Sequence, residues 1–400
     1  MSALPAPRGP EGDAAPMRVQ VVDLPAWTPQ YDHALCGALS RAGADVELVT
    51  SHFPFGKVSQ AGRYRVSERF YRRSARLFHG KDHSRLSSVP HGLSNGLRRA
   101  VKVAEHVPDM LRYRRHAREA DVVHYQWLTA EALDARLLPA ARPRVLTAHD
   151  VLPRTPRFGG TAATSRLLAK MDAVVVHSEH GAGRLVEELG VPSERVHVIP
   201  HGAFSYLGEL EDQLPLPPEL AAVEAPVILF FGLIRDYKGV DVLLEAFAEV
   251  PEAELWVVGM PHVDLEPLRA LARRAPGAVR FVPRYVAEEE ISAFFRRADV
   301  VALPYREIDQ SGVLYTALAF GKPLVLSAVG GFTEVAKRHG AARLVPPGDP
   351  DALAAALNEL LSDPQARAEL GAAAATAAAG PYSWDSVAER TLELYARLGA

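Results

Sequence analysis

Residues 300–335 read VVALPYREIDQSGVLYTALAFGKPLVLSAVGGFTEV. Val300 to Leu303 predicts a short buried strand, Gln310-Ser311-Gly312 a turn, and Val313 to Phe320 a helix stopped by Gly321 and Pro323. A helix that opens directly after a buried strand presents unpaired amides and the positive end of its dipole at one place. That place suits an anion such as phosphate. Gln310, Ser311, Gly312 and Val313 are therefore candidate ligand-binding positions, chiefly through main-chain amides and small size.

The same grammar of short apolar runs separated by helical stretches extends in both directions. Arg18 to Val22, Val46 to Thr50, Val122 to Tyr125, Val145 to Ala148, Ala173 to His177 and Val196 to Ile199 read as buried parallel strands. After the Pro-rich link Gln213 to Pro218 the pattern restarts at Val227 to Phe231, Leu255 to Val258, Val279 to Val282, Val300 to Leu303, Leu324 to Leu326 and Arg343 to Val345. With 400 residues the chain exceeds one hydrophobic core. The expectation is α/β, with two Rossmann-like doubly wound parallel-sheet domains facing across a cleft. They would span residues 17–210 and 222–378, behind a disordered tail over 1–16 and before a last helix over 381–398, with Ser383 as its N-cap. Strand C-termini in such sheets carry the binding loops, so one cleft would serve two substrates.

The net charge of −3 hides an asymmetry. Residues 57–118 hold sixteen Lys or Arg against Glu68, Asp82, Glu105 and Asp109, and read as a basic insert interleaved with Phe53, Phe55, Tyr64, Phe70, Tyr71, Phe78 and Tyr113. This pattern reads either as a solvated face carrying some core residues or, beside a cleft for small substrates, as peripheral contact with an anionic membrane, and not as nucleic-acid binding. Cys36 is the only cysteine, which fits a reducing compartment. The N-terminal stretch lacks the apolar centre of a signal peptide, and no run is long enough for a transmembrane helix. Cytoplasmic residence, with a possible inner-face membrane contact, is the expectation.

Chemistry-bearing residues cluster at strand ends. Phe230 to Gly239 closes the second domain's first strand and places Gly232, Arg235 and Lys238 at a strand-to-helix turn. Fixed cations there can hold an anion and stabilise negative charge that develops on it. Thr147-Ala-His-Asp150 and His124-Tyr-Gln-Trp127 end two strands of the first domain, putting His149 at the cleft mouth and His124, Gln126 and Trp127 on the side facing an acceptor. Glu334 opens another helix after Gly330-Gly331, where a carboxylate can accept hydrogen bonds from ribose or sugar hydroxyls. Ser178 reads as the N-cap of Glu179 to Leu189. Gly181-Ala-Gly183 lacks the third glycine of a dinucleotide fingerprint, Val186 standing there, and Asp349-Pro-Asp351 reads as a helix cap and not a metal site.

The donor-loop stretch, the Gly321-Lys322-Pro323 after its helix and the GG-x-x-E of Gly330, Gly331 and Glu334 resemble the retaining GT-B glycosyltransferases of family 4. The resemblance covers nearly all of residues 17–398. It implies transfer of a hexose from a nucleotide diphosphate sugar to a hydroxyl of a glycan, lipid-linked or small-molecule acceptor, with retention, without metal and without a cofactor. Arg235 and Lys238 would clamp the diphosphate, His149 would approach the transferred sugar, and the last helix would cross back onto the first domain. Two departures stand out. The family's paired glutamates, with seven residues between them, fall at Ile308 and Thr316, and the arginine that normally follows the glycine is displaced, Leu233 occupying its slot. Thr316 offers a hydroxyl where a carboxylate would bind ribose, while Glu307 and Asp309 flank Ile308 as displaced carboxylates. The rival reading is a non-catalytic, glycosyltransferase-like partner that keeps the fold.

Overall fold

A computed structural model describes residues 15–60, 62–79, 91–140, 143–151 and 160–400. Two sheets, every recorded pairing parallel, carry the architecture. The first contains β1 (Arg18–Asp23), β2 (Asp45–Ser51), β3 (Arg65–Phe70), β4 (Val122–Trp127), β5 (Arg144–Thr147), β6 (Ala173–Val176) and β7 (Val196–Val198). Their order across the sheet is β3-β2-β1-β4-β5-β6-β7. The second contains β8 (Val227–Phe231), β9 (Glu254–Val258), β10 (Val279–Val282), β11 (Val300–Leu303), β12 (Leu324–Ser327) and β13 (Ala342–Val345), in the order β10-β9-β8-β11-β12-β13. Both orders reverse beside the first strand, between β1 and β4 and between β8 and β11. Ligands of open α/β sheets bind at such reversals, beyond the strand C-termini.

The central strands are apolar because helices cover both faces. Val227 to Phe230 and Val300 to Leu303 are fully buried, each large side chain contributing about 1.5–3 kcal/mol on transfer from water. The edge strand β3, RVSERF, is exposed along most of its length and shows no such signal. Its presence corrects the expectation of a basic insert. Residues 65–70 pair with β2, and the helix His91–His116 returns the chain to β4, so the stretch belongs to the first sheet's own winding. Tyr64, Phe70, Tyr71 and Tyr113 are core residues there, their aromatic count reflecting packing.

The chain leaves the first domain through residues 199–226 and returns through Gly380–Ser383 into the helix Trp384–Arg397, which packs on the helix Pro29–Arg41. The outgoing and returning segments touch, Ala203 donating its amide to the Tyr382 carbonyl at 2.7 Å. Trp384 seats against Gly202, where an added Cβ would overlap the indole ring. Ser383 caps this helix by accepting from the Ser386 amide, and Asp349 caps Pro350–Ser362 by accepting from Ala352. Ser178 does the same for Glu179–Leu189. The tail over 1–16 lies almost wholly outside the described residues, as does part of 57–118.

Candidate active site

The second wall of the cleft is built at the β8/β11 reversal. Pairing between β8 and β9 continues past the strands, with Gly232 donating to Val258, Ile234 to Met260 and His262 to Ile234. This extension carries Arg235 to the cleft and starts the short turn Asp236–Lys238. Gly232 has φ +107, and a Cβ there would lie 3.0 Å from Val313 Cγ2 and 3.1 Å from Lys238 Nζ. The glycine thus admits both the lysine head group and the donor-loop helix. Lys238 is only 7% exposed, its Nζ 4.9 Å from the Tyr305 ring centroid. Arg306 braces the turn from behind, with a bidentate pair to Asp241 (2.6 and 2.9 Å) and a bond to the Asp236 carbonyl. Arg235 is half-buried and takes no hydrogen-bond or ion-pair partner among the described residues, while burial and its charge hold the neighbouring His262 below the usual histidine range. A partnerless guanidinium beside a buried ammonium is an anion site in waiting.

The donor-loop helix runs from Gly312 to Ala319 and has no side-chain cap at Ser311. Gln310 turns inward: its Oε1 accepts from the Ser311 amide at 3.0 Å and its amide donates to the Tyr315 hydroxyl. Gly312 and Val313 supply the first amides of the helix, which have no intrahelical acceptor, and Val313 Cγ2 meets Gly232. Thr316 is buried and its hydroxyl donates to the Gly312 carbonyl at 3.0 Å, so its proton serves the helix and not a ribose. Ile308 is buried in the second domain's core, consistent with an apolar residue where the resemblance implies a carboxylate. The displaced carboxylate Asp309 does not face the donor loop's amides; it is engaged by the first domain, as is Glu334. Glu334 accepts from the amides of Glu179 (3.0 Å) and His180 (2.7 Å).

The opposite wall consists of rings. His149 stacks on Trp127 (5.1 Å, 16°) and meets Tyr31 edge-on at 4.7 Å. His177 and His201 also surround Tyr31, and His201 stacks on Tyr315 of the donor-loop helix at 4.6 Å and 9°. Trp127 donates its indole N–H to Thr28. A recess beside His149 is lined by Gln126, Trp127, Thr147, Asp150 and Thr164. His124, expected on the acceptor side, is corrected: it is buried, and its two ring nitrogens pair with Tyr395 (2.6 Å) and Thr147 (2.8 Å), tying β4 to the last helix. Tyr31, His177, His201 and Tyr315 were not singled out as one cluster by sequence, because they lie far apart along the chain.

Burial keeps these imidazoles neutral, His177 near 4 and His124 near 3, with His149 and His201 lowered by burial and then by His177. Neutrality fixes the proton positions. His177 donates from Nδ1 to the Ile199 carbonyl (3.0 Å), so its Nε2 accepts from His149 Nδ1 at 3.3 Å. His149 Nε2 is then an acceptor, whereas Gln126 Oε1 stands 3.0 Å from it and the Gln126 N–H₂ is buried without a partner; exchanging the two amide atoms turns the N–H₂ toward the ring and satisfies both. Opposing this group is the buried pair Asp23 and Asp32, joined by a side-chain hydrogen bond, in which burial raises Asp23 to about 6.

The two sets work in opposite senses on stability. Histidines lowered in the folded state bind protons only on unfolding between pH 6.5 and about 4, so their contribution is lost as pH falls through that window. The raised aspartates add stability as pH falls from about 6 toward 4. Four histidines outnumber two carboxylates, so urea midpoints are expected to fall between pH 6.5 and 5. Asp32→Asn is expected to make that fall steeper and to raise the midpoint at pH 8. A flat profile in wild type would contradict the neutral ring wall.

Two facing parallel-sheet domains with an anion clamp on one wall and a ring-lined recess on the other define the GT-B architecture. The chain overlays sucrose-phosphate synthase from Thermosynechococcus elongatus with a TM-score of 0.69 at 19% identity, covering 96% of this chain and 99% of that one. It overlays HepE from Anabaena, solved with UDP-glucose, with a TM-score of 0.68 at 18% identity, covering 95% and 100%. Residues 30–203 match the model described as Glycosyltransferase Family 4, and residues 225–363 the one described as Glycosyl transferases group 1. A relative curated as D-inositol 3-phosphate glycosyltransferase, from Xylanimonas cellulosilytica, is 30% identical over 420 aligned positions, covering 96% of this chain and 92% of its own. The chain belongs to the family 4 glycosyltransferases.

Among the described residues no group of three or more His, Cys, Asp or Glu side chains is placed to hold a metal ion, and no helix is long and apolar enough to cross a membrane.

Proposed function

We propose that this glycosyltransferase moves a hexose from a nucleoside diphosphate sugar to a hydroxyl of an acceptor seated beside His149 and Trp127, with retention of configuration. The observation that carries the reading is the convergence on Gly232 of the Lys238 ammonium and the donor-loop helix, through Val313, at the end of the strand whose extension carries Arg235. As the glycosidic bond breaks, charge builds on the diphosphate, and these groups strengthen their hold in the transition state more than in the ground state. The departing phosphate takes the acceptor's proton, so no dedicated carboxylate base is needed, and the two side-chain cations serve the charge without a metal. His149, neutral and with both ring nitrogens engaged by His177 and Gln126, positions the sugar by ring contact beside Trp127.

The name of the curated relative makes a phosphorylated cyclitol the first small acceptor to offer, beside glycans and lipid-linked sugars. UDP-glucose, with which HepE was solved, is the first donor to offer. Release of nucleoside diphosphate from a panel of UDP, GDP and TDP sugars is the test, with Lys238→Ala as control. Turnover of one donor that disappears in the variant supports the reading. Turnover unaffected by the variant overturns the assigned clamp.

A peripheral membrane contact, at the inner face of a cytoplasmic membrane, rests on one helix. His91–His116 exposes Val103, Leu111 and Arg115 on one side, an apolar and basic face suited to anionic lipid. Co-sedimentation with phosphatidylglycerol vesicles at low salt, lost at high salt, is expected. Protein left wholly in the supernatant at low salt would remove this part.

A further inference from the structure

Two carboxylates of the donor domain are held by the acceptor domain. Asp309 stands between the core residue Ile308 and the donor-loop residues Gln310 to Val313, yet its side chain points across the cleft. Its Oδ2 accepts from the Val151 amide at 2.9 Å, and its Oδ1 pairs with Arg184 at 2.6 Å. Val151 lies two residues beyond His149, on the loop that leaves β5. Arg184 sits on the helix Glu179–Leu189, fixed there by Glu188 at 2.8 and 3.0 Å. Glu334 takes the first two amides of that same helix, and the third goes to Ser178. The N-terminus of an acceptor-domain helix is therefore capped largely by the donor domain.

The donor side is built to bring these groups close. Gly330 has φ +45, and a Cβ there would run into the Ile308 carbonyl. At Gly331 a Cβ would stand 2.9 Å from the Asp309 carbonyl and 3.2 Å from Ser178 Cβ. The two glycines thus press the donor loop onto the turn that launches Glu334, and press both onto the acceptor domain. Asp309 is 7% exposed, so a carboxylate is withdrawn from water at this seam and repaid by a guanidinium and an amide.

We propose that Asp309 and Glu334 form a closure brace that sets the register between the donor loop and the His149 loop, making them positioning residues for sugar transfer. The kinetic consequence rests on the sugar-transfer reading; the structural one does not. The brace requires the two domains to be together, because each carboxylate has its partners on the other side. It also explains why this chain's donor loop carries an acid next to Ile308: the acid aligns the walls of the cleft and leaves the diphosphate to Arg235 and Lys238.

The test measures Asp309→Asn, Arg184→Ala, their double variant and Glu334→Gln in the full chain. Small-angle scattering without ligand and with UDP reports closure, calorimetry reports UDP affinity, and steady-state kinetics report transfer. With the brace broken, the ligand-free radius of gyration should increase. kcat should fall about 10- to 100-fold through misalignment, while UDP affinity and donor KM change by less than about threefold. The double variant should be no worse than the poorer single, as expected for partners in one interaction. If Asp309→Asn weakened UDP at least tenfold while Arg184→Ala left scattering and kcat unchanged, Asp309 would be a donor ligand and the proposal overturned. Unchanged scattering and kcat in all variants would overturn it as well. Glu334→Gln, whose site is more exposed, keeps the question answerable where Asp309→Asn does not fold. If wild type turns over no donor, the sugar-transfer reading fails, and the scattering difference still decides whether the brace exists.

Discussion

Replacing Lys238 by alanine is expected to lower kcat by about 10²–10³-fold, the usual loss when one preorganised charge-stabilising donor is removed. The ammonium is buried and held over Tyr305 in a turn braced by Arg306, so it need not reorganise when the diphosphate departs. Arginine would not substitute, since Gly232 leaves room for the compact head group and little more. Arg235→Ala should cost less, because this side chain is half-exposed and more strongly screened. The decisive comparison is kcat against donor KM: a fall confined to kcat marks a transition-state contact, whereas a rise confined to KM would show that Lys238 only holds the donor. Wild-type kcat in Lys238→Ala would sink the assignment.

The elements legible in the sequence are those whose signal is local. The five-residue run Val227–Phe231 and the four-residue run Val300–Leu303 are apolar throughout because both of their faces are covered, and the structure places strands over those residues. The donor-loop helix, expected from Val313 and found from Gly312, the turn after Gly232 and the caps at Ser178, Asp349 and Ser383 were likewise readable, being written in adjacent residues. β3 was not, since an edge strand with a wet face needs no apolar pattern, and its charges protect an unpaired edge. Glu334 and His124 show a different limit. Each stands where the motif puts it, but its partners come from segments 155 and 271 residues away, and only the tertiary fold says that an expected ligand group is already engaged. Arg184 and Asp309, 125 residues apart, meet for the same reason.

Trp384→Ala is expected to destabilise the protein by about 3–5 kcal/mol, the range for truncating a large buried aromatic side chain. The indole fills the space left by Gly202 and packs against Tyr31 at 5.1 Å, His201 at 6.0 Å and Phe204 at 6.1 Å. Its removal opens a cavity under the ring wall and loosens the last helix together. Trp384→Phe supplies the control. The indole N–H is buried with no hydrogen-bond partner among the described residues, so phenylalanine gives up no bond and should recover much of the loss. Urea denaturation of the three proteins gives the answer. A midpoint in Trp384→Ala equal to wild type would mean that the helix Trp384–Arg397 contributes little to the first domain's cohesion. The exposed Arg41–Asp385 pair, 2.8 Å apart, is no substitute, since such pairs are worth about 1 kcal/mol or less.

The side-by-side passage of the outgoing and returning segments at Ala203 and Tyr382 makes the second domain an interruption of the first. During synthesis, residues 227–379 emerge as a whole unit, with every strand of their sheet in hand. The first domain, although translated earlier, lacks the indole beneath Tyr31 and the hydroxyl that satisfies His124 until Trp384 and Tyr395 leave the ribosome. Its assembly is thus completed last. A nascent chain stalled short of that helix carries a finished donor domain beside an acceptor domain whose aromatic interior is still open to water.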